Sequence, residues 1–218
     1  CQMMGNFAFD TGLLVADINE AYVINCAGKN WAAKKVDDIF AISNRYQIKD
    51  DWDLSSSSLQ IKNGKKDNFN QLFENTEQSE NVCASVRENR AFKILEENKG
   101  KISLNTMADI MRDVGEDSEN YEPDKAELKQ NLVCMHAKPH PDAFWHATGA
   151  MITDSNEDGI IVWMTGSAAN DLSIFKPLFF NIPLPSQLNF LPRGVYDNKS
   201  YWWKHEKLHR RAIINYKD

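Results

Sequence analysis

Apolar and polar residues alternate at short range through the first part of the chain. Gly12–Ala16 and Ala21–Cys26 are two β-rich runs, and the Asx residues of Asp17-Ile18-Asn19-Glu20 favour a tight turn between them, so the pair predicts a hairpin. Trp31–Val36 and Ile39–Ser43 continue the rhythm around Asp37-Asp38, which extends the hairpin into an antiparallel meander without room for crossover helices. From Asp50 to Asn70 the pattern turns polar and predicts loop. Val82–Asn98 is rich in helix formers and stops before Gly100; Ser103 is placed to cap a second helix, Leu104–Val114, ended by Gly115. After the acidic linker Glu116–Asp124, strands are predicted at Leu132–Ala137, Phe144–Thr153, Ile160–Thr165 and Ser173–Phe180. A Pro-punctuated stretch, Pro183–Pro192, leads to a last helix, Tyr201–Tyr216. Strands, helices, strands and a helix make an α+β chain, read as one domain over residues 1–218.

Composition narrows the function classes. With 218 residues and 42% hydrophobic content the chain is long enough to bury a core. A net charge of -6 provides no basic field for a phosphate backbone, so nucleic acid is not an expected partner. The longest apolar runs are strand-length, well short of the roughly 20 residues of a spanning helix, so no membrane partner is expected either. Four cysteines, Cys1, Cys26, Cys83 and Cys134, show no C-x-x-C spacing and are too few for a disulfide scaffold, which fits a reducing, cytoplasmic setting. The first residue is Cys rather than Met: either processing has exposed Cys1, or the chain is cut from something longer.

Seven segments, LLVADINEAYVINCAGKNWAAKKV at 13–36, AISN at 41–44, DDWDL at 50–54, VCMHA at 133–137, VWMTGS at 162–167, SIFKPLFF at 173–180 and YWWKHEKLHRR at 201–211, together resemble the dipeptidase A and secernin family of N-terminal-nucleophile cysteine hydrolases. The resemblance implies part of an αββα sandwich and an amide hydrolase of small peptides, in which a cysteine at the mature N-terminus attacks through an acyl-enzyme. The free α-amino group, with an ordinary pKa of about 7.7–8.0, serves as its base. It implies an oxyanion-hole role for Asn44, after the strand expected at Ile39–Ser43; the competing reading is an Asn that ends a strand by bonding its own turn. It implies no metal and no organic cofactor. By register the hairpin matches sequence downstream of the family's nucleophile, so the chain reads as a central-to-C-terminal piece, inactive towards dipeptides alone, and Cys1 is the nucleophile only if it is a true mature N-terminus. A sheet opened in this way favours association between copies. A different class stays open beside the peptidase: a secernin-like interaction or regulatory protein without turnover.

Several other residues invite chemistry. His205-Glu206-Lys207-Leu208-His209 fits H-E-x-x-H, the zinc-protease pattern, but its continuation wants Gly at 212 and a third ligand, His, at 215, where the chain has Ala212 and Asn215, and the segment belongs to the resemblance, so no metal is expected there. His136, His140 and His146 lie close in sequence, yet Pro139 and Pro141 interrupt them and strand spacing does not set three imidazoles on one side. Of these His136, covered by the resemblance, is the candidate for a packing or substrate-wall position. Cys26 and Cys134 fall in apolar strands as small buried hydrophobes. Trp202 and Trp203 read as anchoring aromatics, and Arg210-Arg211 suit the C-terminal end of a helix dipole.

Overall fold

The computed structural model describes residues 11–123, 132–137, 146–186 and 192–216, and the chain divides into two compact units, Cys1–Lys99 and Gly100–Asp218. Both combine helices with antiparallel sheet, an α+β composition.

The first unit is built on the meander β1 (Thr11–Ala16), β2 (Ala21–Ala27) and β3 (Asn30–Val36). Asp17 makes the first turn: its Oδ1 accepts the amides of Asn19 and Glu20 at 2.7 and 2.9 Å, and these two donors hold its carboxyl below the usual range. Gly28 makes the second with φ +60°, the left-handed first position of a tight hairpin turn. The strand expected at Ile39–Ser43 does not form. The edge of β3 is taken instead by the short strand β4 (Leu54–Ser55), with Ala32 opposite Ser55 and Ala33 opposite Leu54. The stretch expected as loop holds, besides β4, a small hairpin, β5 (Ile61–Lys62) and β6 (Lys65–Lys66), and the start of α1 (Phe69–Phe73). Next come α2 (Thr76–Asn81) and α3 (Ala84–Glu97), separated at Cys83 by a left-handed φ of +52°. The core joins Val23, Ala32, Tyr46, Ile48, Trp52, Leu59 and Phe69.

Asn25 is the polar exception in that interior, with no exposed surface. Its Oδ1 accepts the amides of Gln47 and Ile48, each at 2.9 Å, and its Nδ2 donates to Gln47 Oε1 at 3.3 Å. Buried amide groups need partners, and Asn25 thereby pins an irregular segment onto β2 where a sheet ladder would otherwise do so. Tyr46 adds a second tie: its hydroxyl donates to Cys26 O at 2.7 Å and its ring meets Phe69 edge-on at 5.0 Å.

The second unit opens with α4 (Leu104–Arg112), capped by Ser103 in a reciprocal box with Thr106. The sheet is β7 (Ala150–Asn156), β8 (Gly159–Thr165) and β9 (Lys176–Phe179), in that order. Leu132–Ala137 is irregular backbone and not the expected strand. The strand expected from Phe144 begins at Ala150, residues 144 and 145 lying outside the described part. Just before it, a Cβ at Gly149 would lie 2.8 Å from Thr165 O, so only glycine admits this backbone approach. A 3-10 turn, Asn170–Leu172, follows Ala169, whose φ is +58°. The last helix, α5 (Tyr201–Ile214), is capped by buried Ser200 and faces the interior with Glu206 and His209. No helix among the described residues is long and apolar enough to cross a membrane.

Candidate functional site

Two groups of side chains carry chemistry, one in each unit. In the first, Asn44 lies in an exposed bend two residues before the pinned segment. Arg87 Nη2 donates to Asn44 Oδ1 at 2.6 Å, and Arg87 Nε donates to Val82 O at 3.1 Å, so the guanidinium is held from both sides. Burial draws the guanidinium pKa down from its ordinary value. Beside it, Gln47 Nε2 donates to Glu88 Oε2 at 2.7 Å, and Arg45 Nε stands 3.5 Å from the same oxygen. Burial raises the Glu88 carboxyl; Gln47 and Arg45 oppose this, and Glu74 adds to it. With Asn44 Oδ1 taken by a cation, the side chain turns its two N–H donors to whatever approaches, and the guanidinium polarises them further. Cys1 lies outside the described residues.

In the second unit Asp171 collects three donors. Cys134 Sγ donates to Oδ1 at 3.2 Å, His136 Nε2 lies 3.0 Å from the same oxygen, and Tyr216 Oη donates to Oδ2 at 2.5 Å. Burial pushes the Asp171 carboxyl up, but the hydrogen bond and charge of His136, with the bonds from Tyr216 and Cys134, outweigh it and hold the carboxyl below its usual range. Burial, and after it the adjacent carboxylate, push the Cys134 thiol far up. The same two causes, with the hydrogen bond to Asp171, raise the phenol of Tyr216. A protonated, buried thiol is a poor nucleophile.

The backbone brings these groups together. Cys134 and His136 lie two residues apart in an irregular segment anchored by Cys134 N donating to Asp113 O at 2.8 Å. Asp171 is seated by Ala169 N donating to Ala147 O at 2.9 Å and Arg112 Nη2 donating to Ser173 O at 3.0 Å. His136 and His146, which the prolines between them seemed to separate, meet at a centroid distance of 5.6 Å. The two described segments lie side by side, with Ala147 N donating to Met135 O at 2.8 Å and Ala137 N donating to His146 Nδ1 at 3.0 Å. His146 in turn lies 5.9 Å from His209; burial first, then His136 and His209, lower its pKa. His140 lies outside the described residues.

His136 is buried against Tyr121, Tyr216 and His146. In the HEKLH segment Glu206 is occupied: Oε2 faces His209 Nδ1 at 3.0 Å and Oε1 accepts Arg210 Nε at 2.8 Å. Such a glutamate is engaged within its own helix and is not turned towards a water for attack. Residue-by-residue reading missed Arg87, Gln47, Glu88, Asp171 and Tyr216. Asp171 and Tyr216 are 45 residues apart, and Arg87 and Asn44 are 43 apart, so no local spacing announces either pair. No protein-family model matches the chain.

Proposed function

We propose that this chain is part of a cysteine-type peptidase of the N-terminal-nucleophile kind, acting on small peptides through an acyl-enzyme, with Asn44 stabilising the oxyanion. The proposal carries with it the αββα sandwich for the parent protein, a cytoplasmic setting and a small peptide as substrate. The observation that supports it is the hydrogen bond from Arg87 to Asn44 Oδ1 at 2.6 Å. A carboxamide held by its oxygen keeps both N–H donors for another acceptor, and a donor fixed before reaction is what an amide carbonyl needs as charge gathers on its oxygen. The competing role for Asn44, bonding its own turn through Oδ1, would have to share the oxygen that Arg87 holds.

The test is steady-state kinetics of the intact protein on a dipeptide panel. Asn44→Ala is expected to lower kcat roughly 10²–10³-fold with KM nearly unchanged, because the contact is made mainly in the transition state. A variant that loses thermal stability in step with activity would return Asn44 to a turn-forming role. Absence of turnover in the intact wild type would favour the non-catalytic, secernin-like reading.

A further inference from the structure

We propose that Cys134, His136 and Asp171 form a binding site for a borderline-soft divalent cation, zinc being the type case. The donor atoms of the three residues all lie within 4.8 Å of one another. Zinc binds thiolate at about 2.3 Å and imidazole or carboxylate at about 2.0–2.2 Å, so tetrahedral donors stand roughly 3.4–3.6 Å apart. The separations from Asp171 Oδ1 to Cys134 Sγ and His136 Nε2 are 3.2 and 3.0 Å. Those two pairs need to spread by only a few tenths of an ångström, and Cys134 Sγ and His136 Nε2 stand within 4.8 Å of each other, on a backbone that already gathers all three.

The donor chemistry chooses the metal. A thiolate and an imidazole beside one carboxylate suit zinc and disfavour magnesium and calcium, which take oxygen ligands. Charge agrees: one thiolate and one carboxylate neutralise a divalent ion, so the loaded site, in an interior where Cys134 is fully buried and His136 nearly so, is electrically balanced. On binding, the thiol proton and the proton that His136 Nε2 shares with Asp171 leave to solvent, freeing the sulfur and the Nε2 lone pair for the metal. His136 Nδ1 is buried with no hydrogen-bond partner among the described residues, so its N–H goes without an acceptor, a cost of about 1–3 kcal/mol that metal binding has to exceed. Tyr216 stays on Asp171 Oδ2 and orients the ligating carboxylate, the usual task of an outer partner. His146 is not the fourth ligand through Nδ1, which accepts the Ala137 amide, so that position falls to a water or small anion. The site is separate from the HEKLH segment and independent of the peptidase proposal.

The experiment uses the full chain, stripped with chelator and reloaded with zinc alone or cobalt(II) alone. One zinc per chain is expected after dialysis, with a cobalt spectrum showing thiolate charge transfer and tetrahedral ligand-field bands. Cys134→Ser should abolish the charge-transfer band and weaken binding by about 100-fold or more, and Tyr216→Phe should weaken it roughly 10–100-fold. His205→Ala should change neither. Stoichiometric metal that survives Cys134→Ser, or is lost with His205→Ala, would overturn the assignment. Should the serine variant fail to fold, the wild-type cobalt spectrum decides: without thiolate charge transfer, the three residues are a hydrogen-bonded hub and no metal site.

Discussion

Replacing Asn25 with alanine tests whether one buried side chain holds the whole Asn44 segment in place. The substitution removes the acceptor of two amides at once. Ile48 is completely buried, so its N–H is left without water or protein partner, at a cost of about 1–3 kcal/mol. Gln47 is partly exposed, and its amide regains some hydration, so its share is smaller. Adding the void left by a carboxamide, the loss comes to about 3 kcal/mol, a large part of the roughly 5–15 kcal/mol that holds a domain together. Tyr46→Phe provides a yardstick, since it removes the hydroxyl with its bond to Cys26 O, worth about 1 kcal/mol. Urea unfolding followed by circular dichroism gives both values, and amide exchange reports the two N–H groups directly. The reasoning fails if Asn25→Ala costs no more than Tyr46→Phe while the amides of Gln47 and Ile48 keep their protection.

Glu88 should leave a signature in the pH dependence of stability. Burial raises its folded pKa above the ordinary 4.5, so the native state holds the extra proton just above that pH, and stability falls as pH rises through the window. Glu88→Gln keeps an oxygen for Gln47 and should flatten the decline; parallel curves for variant and wild type would refute it. For Cys1, the register of the resemblance places the attacking residue elsewhere. Cys1→Ala should therefore leave the dipeptide turnover of the isolated chain at background, and turnover that vanishes in that variant would make Cys1 the nucleophile.

What could be read in the sequence was what is decided locally. The Asp17 turn and the Ser103 cap each depend on bonds spanning two or three residues, and both were legible. The pieces that failed depend on competition at a distance. Ile39–Ser43 has strand composition, but β3 has one edge to offer on that side, and Leu54–Ser55 occupies it. Helices α1 and α2, of five and six residues, contain too few turns for a periodic apolar stripe to show. The candidate sites follow the same rule. Asn44 and His136 were picked out through resemblance, whereas their partners Arg87 and Asp171 come from remote segments and emerge only with the backbone path.

The seat of Asp171 has a consequence for how the second unit tolerates sequence drift. The 3-10 turn is braced by the side chains of Ser173, whose Oγ donates to Ala169 O at 3.0 Å, and Arg112, but its tie to the strap, Ala169 N to Ala147 O, is made by main-chain groups alone. Main-chain groups do not change when side chains do. Gly149 is the exception, because its missing Cβ lets the Ala147 strap lie against Thr165. A single methyl group there would push the strap outward and carry the Asp171 turn with it, although residue 149 touches none of the three donors. Variation around this cluster is therefore gated less by the residues that do the chemistry than by one that has no side chain.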